Sequence, residues 1–131
     1  MLIAYFATMA VFFIIDYFWL TRVALTFYRE QIGPLLLDEF KVGYAAVFYL
    51  FYGAGIVFFA VRPALEANSL AMAFFYGAVL GALCYGTYDM TNLATLKGYT
   101  ATVAFTDLAW GTVLTGTSAL GGMWITRALT S

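Results

Sequence analysis

Long apolar stretches separated by short polar breaks run the length of this chain. The first covers about Leu2 to Leu20 and is almost unbroken until Asp16. The second covers about Val42 to Val61 and is rich in Phe and Tyr. Arg62-Pro63 is expected to end it, because proline disfavours helix in the residue before it. The third follows Asn68-Ser69, a good N-cap pair, and runs to about Asp89 or Asn92. The fourth runs from about Thr100 to Ile125 and is the least hydrophobic, with Thr102, Thr106, Asp107, Thr112, Thr115, Thr117 and Ser118. A spanning helix needs roughly 20 apolar residues. The pattern therefore predicts four spans, about 2–20, 42–61, 70–89 and 100–125, in a single transmembrane domain over 1–131.

Two segments fit this scheme less simply. An aspartate at a helix centre costs about 2.5–3.5 kcal/mol, while each Leu or Phe returns only about 0.3–0.6. Helix 4, with Asp107 towards one end, is expected to depend on packing against the others. Between helices 1 and 2, Arg22–Lys41 interleaves Val23, Phe27, Ile32, Leu35, Leu36, Leu37 and Phe40 with Arg29, Glu30, Asp38 and Glu39, and Gly33-Pro34 breaks it. That mixture predicts an interfacial element lying along the headgroups. The fold class is all-α: an integral membrane four-helix bundle with an interfacial segment between helices 1 and 2.

Composition narrows the chemistry. The chain is 64% hydrophobic, 20% aromatic and only 10% charged, against about 25% charged in a soluble domain. There is no histidine, which removes the usual haem ligand, the commonest zinc ligand and the commonest general base. The single cysteine, Cys84, lies in an apolar run and reads as a small buried hydrophobe. No cofactor, metal site or catalytic residue is expected. Met1–Ile15 has no basic residue, unlike the start of a signal peptide, so the first helix is expected to be retained. Basic residues set orientation. Arg22, Arg29, Lys41 and Lys97 fall in loops 1–2 and 3–4, against Arg62 and Arg127 on the other side. This bias favours loops 1–2 and 3–4 in the cytoplasm.

Three acidic residues fall inside or at the ends of the spans, and each has a polar or aromatic residue three positions later: Asp16 and Trp19, Asp89 and Asn92, Asp107 and Trp110. Residues three apart share a helix face. In an up-and-down topology all three aspartates come to similar depth near loops 1–2 and 3–4. Ionisable residues at membrane depth usually face the bundle interior or a water cavity. One reading pairs them with Arg22 or Lys97, locking helix register. Another opens a pocket for a cation, a proton or a lipid headgroup. A third makes them an interface with another membrane protein. Tyr85, Tyr88, Thr87, Thr91 and Asn92 are candidate hydrogen-bonding neighbours.

Glycines carry a simpler message. Gly77 and Gly81 form GxxxG in helix 3, continued by Gly86, and helix 4 contributes Gly111, Gly116 and Gly121. Small residues let membrane helices approach closely, so core packing is expected here, with homodimerisation as the alternative. The aromatic residues of helix 2 (Tyr44, Phe48, Tyr49, Phe51, Tyr52, Phe58, Phe59) are expected to face lipid or to pack. Helices 1–2 and 3–4 also hint at a duplicated hairpin, with Asp16, Trp19 and Arg22 answering to Asp89, Asn92 and Lys97.

The run from Tyr85 through Asp89, Asn92 and Lys97 to Tyr99, together with Asp107-Leu108-Ala109-Trp110-Gly111-Thr112 and Asp16-Tyr17-Phe18-Trp19-Leu20, resembles the DUF2177 family of predicted bacterial membrane proteins. The resemblance covers essentially the whole chain. It implies a four-helix bacterial inner-membrane protein and carries no established activity.

Three functional readings remain. The first is a non-catalytic subunit or assembly partner of a larger membrane complex, binding another membrane protein. The second is a small transporter or lipid-binding protein, working as a homo-oligomer and using Asp16, Asp89 and Asp107. The third, a lipid-modifying enzyme, has least support, because no activated nucleophile is in sight. The partners expected are the lipid bilayer and another membrane protein or a second copy, with no nucleic acid.

Overall fold

In a computed structural model describing residues 1–36 and 41–130, the chain forms four long helices and, among those residues, no strand. We number them α1 (Leu2–Leu35), α2 (Val42–Ala67), α3 (Leu70–Thr95) and α4 (Ala101–Thr130). The first three are long and apolar enough to cross a membrane. At 30 residues α4 is long enough, but its many polar and small residues keep it out of that class.

The least hydrophobic helix is the central one. α4 packs against α3 along much of its length and against α1 on another side, and it also meets the second half of α2. Leu114, Thr115, Ser118, Ala119 and Met123 are fully enclosed. Thr115, Ser118, Thr126, Gly111, Gly116 and Gly122 are buried against other helices, which explains how a helix this polar is accommodated. The main core joins Phe12 of α1, Ile56 and Val61 of α2, Ala73 of α3, and Leu114 and Met123 of α4.

The helix boundaries correct the expected ones in two instructive places. α1 does not stop at Leu20. It continues through a π turn at Leu20–Ala24 into Leu25–Ile32 and ends in a 3-10 turn at Gly33–Leu35. The segment expected to be interfacial is, over its described part, a helical continuation of α1 packed on the start of α4; its Leu37, Asp38, Glu39 and Phe40 lie outside the described residues. The π turn has a geometric consequence. In an uninterrupted α-helix, Asp16 and Tyr28 would point about 120° apart; absorbing one extra residue reduces this to about 20°. Both therefore face α4.

A second π turn, Val57–Val61, carries α2 past the expected stop at Arg62-Pro63. The Arg62 amide donates to the Val57 carbonyl, five residues back. Pro63 sits in the first turn of the segment Arg62–Ala67, where its missing N–H costs little. The helix ends at Asn68, whose left-handed backbone (φ 52°) turns the chain. Ser69 then caps α3, accepting from the Met72 amide at 3.1 Å as the sequence pattern predicts. α3 continues to Thr95, three residues past Asn92, and α4 to Thr130, more than a turn beyond its expected end.

The α3–α4 seam explains the glycines of α3. A Cβ on Gly77 would lie 2.8 Å from the Ala119 Cβ and 2.8 Å from the Thr115 carbonyl oxygen. A Cβ on Gly81 would fall on the Gly111 carbonyl oxygen. The two helices thus approach closely through small residues within one chain, as small-xxx-small faces do in membranes.

Candidate functional site

The antiparallel run of α4 beside α1 and α3 gathers the three aspartates at one end of the bundle. Asp16 is supplied by α1, Asp89 by the last turns of α3 and Asp107 by the second turn of α4. Asp89 is fully buried and Asp16 is 5% exposed, while Asp107 is half-buried. Asp107 lies close enough to Asp89 for their carboxyls to interact directly, and it is within electrostatic reach of Asp16.

Each carboxylate receives a hydrogen bond from an aromatic side chain. Trp110 Nε1 donates to Asp16 Oδ1 at 3.2 Å. The Tyr28 hydroxyl donates to Asp107 Oδ1 at 2.6 Å. The Tyr99 hydroxyl donates to Asp89 Oδ1 at 2.8 Å. Tyr49 of α2 also reaches Asp16. The Asp16 and Asp107 bonds tie α1 to α4 at two levels, and the Asp89 bond ties α3 to the α3–α4 loop. Trp19 stacks flat on Trp110, ring centres 4.4 Å apart and planes 9° from parallel, which holds the indole that serves Asp16.

A small second core closes this end. Ile32, Tyr99, Val103 and Ala104 are buried together, with Phe27, Tyr28, Leu36 and Leu93 packed around them. Tyr99 lies in the loop between α3 and α4 and is 8% exposed. Burial first, and then the Asp89 carboxylate it serves, push its phenol above the ordinary range. It therefore stays a donor across ordinary pH. Thr100, next to it, donates its hydroxyl to the Gln31 side chain of α1 at 3.2 Å.

The expected residues divide into those that meet and those that do not. Asp16, Trp19, Asp89, Asp107 and Trp110 come together. Half-buried Asn92 lies beside Tyr88 and Tyr99. Tyr88 is 58% exposed and touches the cluster edge-on through Tyr99, ring centres 6.5 Å apart. Arg22 and Lys97 are exposed. Among the described residues the ion pair formed is Arg62–Glu66, at the other end of α2. The expected pairing of the aspartates with Arg22 or Lys97 is therefore corrected: neutral aromatic donors take that place. A buried carboxylate needs hydrogen bonds rather than a counter-charge as such, and Trp and Tyr offer them on apolar bodies that suit the membrane.

Sequence reasoning missed Tyr28, Tyr49 and Tyr99 as partners. Tyr28 lay in the segment read as interfacial, and Tyr49 among rings read as lipid-facing or packing. Tyr99 carried the strongest available signal, since it follows a helix end that contains a carboxylate. Gly111 admits the Tyr85 ring against its Cα, and Gly86 faces the Leu108 side chain at 3.2 Å from where a Cβ would lie. Tyr85 is thereby seated between the aspartate cluster and the main core.

The chain belongs to the family of predicted membrane proteins DUF2177, whose family model matches residues 1–124. No curated protein and no solved structure matches it.

Proposed function

We propose that this protein is a non-catalytic partner in a larger membrane assembly, in which the aspartate end braces the bundle and the first half of α2 receives a helix of another membrane protein. The supporting observation is the contrast within α2. Tyr52, Gly53, Ile56, Val57, Ala60, Val61 and Ala64 are buried. Across Val42–Phe51, by comparison, every residue is exposed except half-buried Tyr49. Tyr44 is 78% and Phe51 76% exposed. This stretch leaves the bundle with bare apolar and aromatic sides, next to the end that carries the aspartate hydrogen bonds. The chemistry-bearing groups, meanwhile, hydrogen-bond one another across helices. The alternative, an oligomeric transporter or lipid-binding protein, has less support, because α4 fills the axis such a path would use. In this reading all four helices cross a bacterial inner membrane, with the α1–α2 and α3–α4 connections in the cytoplasm.

The test is photo-crosslinking in native membranes from position 51, with position 83 on α3 as a control, since Leu83 is also exposed, at 65%. A discrete adduct with another protein from position 51 and lipid adducts alone from position 83 are expected. Lipid adducts from both positions would overturn the proposal. An adduct of twice the chain mass would move the homo-oligomeric reading ahead.

A further inference from the structure

The three carboxyls differ in what meets their second oxygen. Asp89 accepts the Tyr99 hydroxyl on Oδ1, but its Oδ2 is buried and has no hydrogen-bond partner. The Asp89 carboxyl lies within reach of the carboxyl of Asp107, which itself accepts the Tyr28 hydroxyl on Oδ1. An ionised carboxylate only accepts hydrogen bonds. Two of them in contact, one of them sealed from water, repel each other, and a single proton between them relieves that repulsion. Neither phenol can relieve the pair, since each hydroxyl hydrogen is already directed at an Oδ1.

Among the described residues the surroundings supply no positive charge. From α1 the facing titratable groups are Asp16 and Tyr28, from α2 Tyr49, from α3 Tyr85 and Tyr88, and from the α3–α4 loop Tyr99. All are acids. Arg22 and Lys97 are exposed, and neither forms an ion pair with the aspartates.

We propose that Asp89 and Asp107 form a proton-binding site, in which one proton is shared between Asp89 Oδ2 and the Asp107 carboxyl. The proton converts an acceptor–acceptor contact into a hydrogen bond and removes one of two like charges. A metal ion is the poorer fit, because it needs several ligands. Among the described residues no three Asp, Glu, Cys or His side chains are grouped to supply them. The site opens to one side only. Asp107 is half-buried and Tyr88 is exposed, whereas Asp89 is sealed. The proton therefore exchanges with water at the face carrying the α3–α4 loop. The site stands or falls separately from any partner docked on α2.

Infrared spectroscopy of the full chain in lipid nanodiscs at neutral pH tests this. The expected spectrum shows the C=O stretch of a protonated carboxylic acid, and the band shifts in D2O. Asp89→Asn and Asp107→Asn should each abolish it, and Asp16→Asn should leave it. An acid band missing from the wild-type spectrum, or surviving in Asp107→Asn, would overturn the proposal, as would its loss in Asp16→Asn. Bound radioactive sodium without an acid band would also overturn it, and would assign the pair to a metal cation. The wild-type spectrum is decisive even where a variant does not fold, and size-exclusion chromatography with a thermal melt identifies such a variant.

Discussion

α2 and α4 invert the usual relation between hydropathy and burial. α2 is among the most apolar helices, yet across its first ten residues, Val42–Phe51, every side chain is exposed except half-buried Tyr49, which meets Phe12 and Phe13 of α1. α4 is too polar to pass as a span by hydropathy, yet it has more buried residues than any other helix described. Lipid tails are as apolar as leucine, so hydropathy drives insertion and supplies little force for helix association; packing of small residues and interhelical hydrogen bonds does that instead. In this bundle a run of Phe and Leu marks what lipid or a partner touches. A run of Gly, Ala, Ser and Thr marks the axis.

The sharpest way to break that comparison is to add one methyl group to a glycine in each helix. A Cβ on Gly111 would enter the Tyr85 ring, and one on Gly122 would meet Thr8 of α1, whose Cα lies 3.0 Å away. Gly111→Ala and Gly122→Ala should each destabilise the protein by about 1–3 kcal/mol, the usual cost of overpacking. In α2, Gly55 has nothing within 4 Å of where its Cβ would sit. Gly55→Ala should be neutral or stabilise by up to about 1 kcal/mol through helix propensity. Detergent-titration unfolding of the three variants measures this. Equal losses for all three would mean that α4 is not the axis.

An intermediate effect is expected where the two helices touch. The Tyr52 hydroxyl and Thr115 Oγ1 are 2.6 Å apart and buried. Interhelical hydrogen bonds in membranes average about 0.6 kcal/mol and reach about 1.7. Tyr52→Phe should fall at the lower end. Thr115 lies four residues after Gly111 and can turn its hydroxyl to that carbonyl, as Thr112 and Thr126 do to theirs at 2.8 and 2.6 Å. Thr115→Val should cost more, since it strands the buried phenol. If the order reverses, the threonine does not have this second acceptor.

How much of this was legible in the sequence depends on distance along the chain. The apolar runs place all four helices, Ser69 marks the start of α3, and up-and-down topology alone predicts that Asp16, Asp89 and Asp107 share a level. Registry across helices is another matter. Nothing local distinguishes Arg22–Ile32 from a surface segment, because its charges sit on the face that α1 turns outward while Ala24 and Ile32 turn inward. The π turn that rephases Tyr28 towards Asp107 leaves no mark in residue type. Arg62-Pro63 reads as a stop because proline usually is one; a π turn just before it is a tertiary solution. The aspartate donors Tyr28 and Trp110 lie 79 and 94 positions from their partners, beyond any local pattern.

The smallest effect is expected at the outer tip of the comparison, and it is the one that bears on function. Phe51 is 76% exposed, so Phe51→Ala removes a ring that touches little within the chain. In purified protein its unfolding free energy should change by less than about 0.5 kcal/mol, as for surface substitutions generally. In native membranes the same variant should lose a partner helix, because aromatic side chains at an interface supply much of its binding energy. Gentle extraction followed by native mass spectrometry compares the two conditions on one variant. A wild-type complex that dissociates in Phe51→Ala, with stability unchanged, places the first half of α2 in an interface. Should the complex persist, the bare half of α2 is lipid-facing, and the contrast with α4 reduces to lipid outside and helices inside.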